Sequence, residues 1–253
     1  MWNTPSSKTK ETMAIVNDVF VSGSVGNLVL YRRMGKSCSR IKPLHVKQSA
    51  ATKIRGLNFG IAARAGRGLR RGLTAAMPLP TDRSMQSRFS GAIARWLGLS
   101  NVEELPPCEP VPYVNTFQFT EGATFRERFR VPVTVSKPQD GVLTVGIDAF
   151  IPALHIAAPA GTVSVTLIIS VAGCLLTTGW ATGSQTHTLL IPYNDTEIPA
   201  QTLEFHVPTT AENLTVTAAR LIYQEVKNGQ VINVENPAFM PASVIDTRYG
   251  VTP

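Results

Sequence analysis

Residues 163–176, VSVTLIISVAGCLL, carry no charge and form the longest apolar stretch of the chain. The run is too short for a membrane helix, which needs about 20 residues. Its Val, Ile and Thr content favours extended backbone, because β-branched side chains lose less freedom in a strand than in a helix. It therefore reads as buried strand over 162–176, in one piece or two. Everything after Pro112 has the same β character. Strands are expected near 114–120, 125–136, 142–149, 185–192, 201–207, 213–224 and 230–235, separated by turn residues. The turns are Lys137-Pro138-Gln139-Asp140-Gly141, Ala158-Pro159-Ala160-Gly161, Tyr193-Asn194-Asp195 and Lys227-Asn228-Gly229. Asn-Gly between two β runs is a strong hairpin signal, since both residues accept positive φ. Strands at this spacing predict an antiparallel sandwich over 113–253, immunoglobulin-like or jelly-roll in type.

The first hundred residues are built differently. Short runs around Val19-Phe20-Val21, Leu28–Tyr31 and Ser37–Ile41 are broken by Gly26-Asn27 and Met34-Gly35, which predicts hairpin strands up to Pro43. From about Gln48 to Ala76 the period becomes helical. Ile54, Ile61, Ala65, Leu69 and Leu73 fall on one face, and Lys53, Arg64, Arg67 and Arg71 on the other. Glycines at 56, 60, 66, 68 and 72 each cost a helix about 1 kcal/mol relative to Ala. Either the helix breaks near Gly66-Arg67-Gly68, or something packs closely against the glycines. A second helix is expected from a cap at Thr81 or Asp82 through Met85, Phe89, Ile93 and Trp96-Leu97 to a stop at Gly98. Pro106, Pro107, Pro110 and Pro112 mark a boundary. The expected organisation is thus a loose polar leader over 1–12, a basic hairpin-plus-helices segment over 13–105, and the sandwich. In class the chain is α+β, mainly β.

Charge divides along the same line. Residues 1–100 hold 17 Lys and Arg against three acids, Glu11, Asp18 and Asp82, a balance of +14; the remainder carries −7. Such halves attract each other, within or between chains, or leave the basic half free for a polyanion.

Catalytic patterns are absent from the sequence. The four histidines, His45, His155, His187 and His206, lack metal-ligand spacing, although His187 and His206 could meet across strands. No G-x-S-x-G elbow occurs, and Glu103-Glu104 sits in a proline-flanked linker ill suited to acid/base work. Cys38, Cys108 and Cys174 are odd in number and lack CxxC spacing, so reduced, buried thiols are expected. Gly23-Ser24-Val25-Gly26-Asn27 follows a strand but precedes another strand, so it reads as a hairpin turn rather than a phosphate loop. No enzyme activity, cofactor or metal is expected. With neither an apolar leader nor a spanning segment, a cytoplasmic or virion-associated protein is expected.

One feature invites a partner. Lys53, Arg55, Arg64, Arg67, Arg70, Arg71, Arg88 and Arg95 give the two helices a basic stripe dense enough for phosphate contact. The expected function is a structural or interaction protein whose basic helical segment docks on an acidic β-sandwich, in the same chain, another copy or a partner protein. The alternative is a nucleic-acid-binding protein using the same stripe, with few aromatics nearby for stacking. A membrane-surface role is disfavoured, because Gly and Ala fill much of the apolar face.

The residues Ser22-Gly23-Ser24-Val25-Gly26-Asn27 to Tyr31-Arg32-Arg33-Met34-Gly35-Lys36, then Arg40-Ile41-Lys42-Pro43, resemble the opening of an uncharacterised Bacteroidetes protein family. Lys47–Thr52 and Met85–Leu97 extend the resemblance over roughly residues 13–98. It implies no activity. Similar openings also resemble those of phage or prophage structural proteins, which implies an assembly role.

Overall fold

The computed structural model describes residues 14–17, 20–43, 48–78, 84–99, 105–136, 141–206, 210 and 212–250. The leader, the Thr81–Asp82 cap, His45, Glu103-Glu104 and the turn residues 137–140 lie outside them. The fold is mainly β, with antiparallel sheets and helices, as expected. No helix among the described residues is long and apolar enough to cross a membrane.

The chain forms two compact units, residues 1–52 and 53–253. The division thus falls at Thr52 rather than at the prolines around 106–112. The first unit is a four-stranded meander: β1 (Ala14–Asn17), β2 (Phe20–Val25), β3 (Leu28–Arg33) and β4 (Lys36–Ile41). Gly26-Asn27 turns β2 into β3, and Met34-Gly35, both at positive φ, turns β3 into β4. Register puts Val25, Leu28, Leu30 and Ile41 on one face and Val29, Tyr31, Arg33, Lys36 and Arg40 on the other. None of the residues from Val21 to Pro43 is buried.

α1 (Ala50–Gly72) carries the chain from the last residues of the first unit into the second, and its first turn is capped by Ser49 Oγ accepting from Thr52 N–H at 3.2 Å. The helix runs unbroken through all five glycines. A 3₁₀ turn (Thr74–Ala76) leads away from it, and α2 (Met85–Leu97) follows, ending at Gly98. Residues expected as strands at 114–120 and 125–132 are instead turns and a single helical turn, α3 (Phe125–Arg128), before β5 (Val133–Val135). β6 (Val142–Ile147) precedes another single turn, α4 (Pro152–His155). Then come β7 (Thr162–Leu175), β8 (Ala181–Pro192), β9 (Gln201–His206), β10 (Asn213–Lys227), β11 (Gln230–Asn233) and β12 (Ala242–Tyr249). The β10–β11 hairpin turns on Asn228 and Gly229, both at positive φ, as the dipeptide predicted.

β7 is a single strand. It pairs with β10 along its whole length and with β8 on its other edge, and β12 and β11 follow one another along the far edge of β10. A smaller sheet, β5-β6-β9, packs over one face of this pair. There Val165, Leu167, Ile169 and Val171, with Ala219, Leu221 and Tyr223, meet Leu143, Val145, Ile147, Leu203 and Phe205. The alternate residues Ala172 and Cys174, with Leu214, Val216 and Ala218, point the other way, into a second core roofed by α1 and α2. β7 and β10 are therefore buried on both faces, so their sequences lose the in–out alternation that β6 keeps. Segment 105–120 closes this second core along β12, with Phe119 N–H donating to the Ala242 carbonyl and Val244 N–H to that of Phe117. Phe89 of α2 packs at a tilt against Phe117 and Phe119, and Trp96 meets Tyr249 edge-on at 5.2 Å.

Candidate functional site

The close packing anticipated for the glycines is what holds α1. A β-carbon on Gly68 would overlap the carbonyl oxygen of Gly179, in the turn between β7 and β8. One on Gly72 would lie 2.6 Å from the Ala172 β-carbon, and one on Gly66 2.9 Å from Ser90 Oγ on α2. Cys174 sits under the same crossing, its thiol donating to the Ala65 carbonyl at 3.7 Å. Helix and sheet thus approach through small residues, and α1 docks with its Ala, Gly and Leu face, leaving Lys53, Arg67 and Arg71 exposed.

Lys53, Arg55, Arg64, Arg67 and Arg71 are all exposed. α1 contains no acid, and among the described residues no ion pair joins one of its bases to a carboxylate. At about 100° per residue, Lys53, Arg64, Arg67 and Arg71 form one outward row, with Arg55 off its axis. Of this row, only Arg64 is anchored on a described residue, its Nε and Nη2 donating to the Thr177 carbonyl at 3.3 and 3.2 Å. Arg70 lies on the flank, half-buried, with Nη1 3.5 Å from Ser90 Oγ. Burial, and then the charge of Arg67, lower the pKa of its guanidinium. Arg70 belongs to the helix–helix contact more than to the outer row.

The two bases of α2 have other surroundings. Arg88 is committed to the fold: it pairs with Glu121 at 2.9 Å, donates to Ser84 Oγ and the Gln118 and Phe119 carbonyls, and lies 5.3 Å from the Phe117 ring centroid. Arg95 is exposed and covers the ring of Tyr113 at 5.2 Å. Together with Gly91, Ala92 and Thr116 these residues line an open groove of about 460 Å³. The eight sequence-selected bases therefore do not form one surface.

Three features carried no sequence signal. Trp180, in the turn against α1, is 75% exposed. Tyr113 holds Arg95 from a backbone at φ +64°. On the first unit, Tyr31, Arg33, Lys36 and Arg40 share a face, with the Arg40 guanidinium 6.0 Å from the Tyr31 ring centroid. Each depends on register or on partners distant in sequence.

The remaining candidates have structural roles. A His187 ring nitrogen bonds the Glu204 carbonyl at 3.0 Å, and the ring meets Phe205 edge-on. His155 Nδ1 bonds the main chain of Ile151. No group of three or more metal-ligating side chains occurs among the described residues. The three cysteines are unpaired, but only Cys174 is buried; Cys38 and Cys108 are half-buried, contrary to the expectation for all three. Burial pushes the Cys174 thiol up to about 12, where it stays protonated. Searches among family models, curated proteins and solved structures found nothing that matches this chain.

Proposed function

We propose that this is a non-enzymatic binding protein that holds nucleic acid on the outward basic row of α1. The observation carrying the reading is that α1 is seated through its small-residue face, leaving Lys53, Arg64, Arg67 and Arg71 on the open side without a carboxylate partner. Guanidinium groups on a rigid helix suit phosphate oxygens, and neutralising phosphates releases condensed counterions. Docking of the whole stripe onto the acidic β half would need ion pairs from α1 as well as the Arg88–Glu121 pair of α2, and α1 makes none with a described residue.

The test is binding of labelled DNA and RNA by the full chain across a salt series. Affinity measurable at about 50 mM salt, with log Kd rising linearly with log salt, is expected. Replacing Arg64, Arg67 and Arg71 together by Gln should reduce both affinity and salt slope, by roughly one unit of slope per lost phosphate contact. Absence of binding at low salt overturns the reading.

A second reading, association with a protein partner or another copy, has one observation of its own. Ile54, Leu57 and Phe59 on the first turns of α1 are 57%, 69% and 57% exposed, so the helix offers apolar as well as basic surface.

A further inference from the structure

Beside Arg64 of the proposed nucleic-acid face lies a turn whose backbone the fold fixes and which carries an aromatic residue. Trp180 closes the turn from β7 to β8, and its carbonyl accepts from Leu175 N–H at 2.9 Å. Gly179 N–H donates in turn to the Leu175 carbonyl at 2.7 Å, and Trp180 N–H to Thr178 Oγ1 at 3.3 Å. Gly179 has φ +71° and fits against α1 so tightly that a β-carbon there would overlap the Arg64 main chain. The carbonyl of Thr177, three residues before Trp180, takes both bonds from the Arg64 guanidinium. The backbone of one four-residue turn therefore locks against α1 between Arg64 and Gly68, fixes the Arg64 side chain, and carries an indole that is 75% exposed. The other described tryptophan, Trp96, is 3% exposed in the core.

An exposed indole offers a large, rigid apolar face that a stacked partner can cover. Beside a row of guanidinium groups, the partner that uses both is a nucleotide chain, whose phosphates meet the arginines while a base stacks on the indole. In a duplex the bases are stacked on one another and paired, so only an unpaired strand can present one. We propose that Trp180 is a base-stacking platform and that the preferred ligand of this face is single-stranded nucleic acid. This rests on the assignment of the α1 row to nucleic acid and adds the class of strand.

The full chain is titrated at low salt with a labelled single-stranded oligonucleotide of about 12 nucleotides, a duplex of the same length, and heparin. Single strand is expected to bind more tightly than duplex and to quench tryptophan emission. Trp180→Ala should weaken single-strand binding by about five- to hundredfold, the range given by loss of one stacked base. Heparin and duplex binding should stay within about twofold, and Trp180→Phe should retain most of the affinity. Because the ring is exposed, both variants should melt with wild-type, which a thermal scan checks. Equal affinity for duplex and single strand, or a Trp180→Ala variant that binds single strand normally, overturns the stacking proposal. In that case continued sensitivity to the Arg64, Arg67 and Arg71 substitutions leaves the basic row standing. Failure of all three ligands to bind overturns both.

Discussion

Gly68 of α1 and Gly179 of the β7–β8 turn meet backbone against backbone, with no room at either for a β-carbon. The obstruction is main chain, so no side-chain rotation relieves it. Gly68→Ala should therefore destabilise by about 1–3 kcal/mol, the range for overpacking, despite the better helix propensity of Ala. Gly56 and Gly91 have nothing within 4 Å of an added β-carbon. Gly56→Ala and Gly91→Ala should each stabilise by about 0.5–1 kcal/mol. Urea unfolding midpoints check the opposite signs.

Arg248 predicts an asymmetry. Its guanidinium is 2% exposed, with Nε 2.7 Å from Asp246 Oδ2 and Nη2 donating to the Val135 carbonyl at 3.0 Å. Nη1 faces Glu109 Oε1 at 3.1 Å as an ion pair without hydrogen-bond alignment. The arginine cannot shed its charge, whereas both carboxylates reach solvent. Asp246→Asn should cost about 3 kcal/mol and Arg248→Met less. The double variant should cost less than the two added, in a double-mutant cycle by chemical denaturation.

Cys174 ties stability to alkaline pH. Its folded pKa of about 12 exceeds the ordinary thiol value of 9.0, so between those values the folded state holds a proton that the unfolded state has released. Stability should be full below about pH 9 and fall as pH rises toward about 12, by up to about 1.4 kcal/mol per pH unit from this group. Tyr223, also pushed up by burial, adds to the decline above its ordinary 10.0. Cys174→Ala should flatten the curve without abolishing it. In native protein near pH 8 a thiol reagent should leave Cys174 unmodified until the chain unfolds.

The exposed apolar residues of α1 separate association from folding. Leu57→Gln and Phe59→Gln should change stability by no more than about 0.5 kcal/mol. If copies or partner proteins associate through this helix, the same substitutions should lower the molecular mass measured by light scattering.

Much of the architecture was legible because its chemistry is local. Asn228-Gly229, Gly26-Asn27 and Met34-Gly35 announce their hairpins. The α1 period survives its glycines because the residues between them keep the helical stripe. What failed depended on distant partners. The sequence of β7 fits one strand or two, because burial on both faces erases alternation. Residues 114–120 have β composition, yet their main chain borders β12 through one isolated bridge, Gln118 with Ser243. The last strand expected from the sequence ends near 235, and β12, after Pro241, lies beyond it. Among the candidate bases, Arg88 resembled Arg67 in sequence, and only the fold brings Gln118, Phe119 and Glu121 around it. Trp180 stands alone after Thr177-Thr178-Gly179, without a period or motif, and gains meaning only from its place against α1.

β7 and β10 form a party wall between two apolar compartments, the helix-roofed core and the sheet-roofed core. Neither compartment can be opened without baring the back of the other, so the second unit should lose both in one cooperative event. Amides along 165–172 and 215–222 should be the last to exchange with deuterated solvent, and at nearly the same free energy. Separate exchange plateaus for the two strands would mean that the compartments open independently.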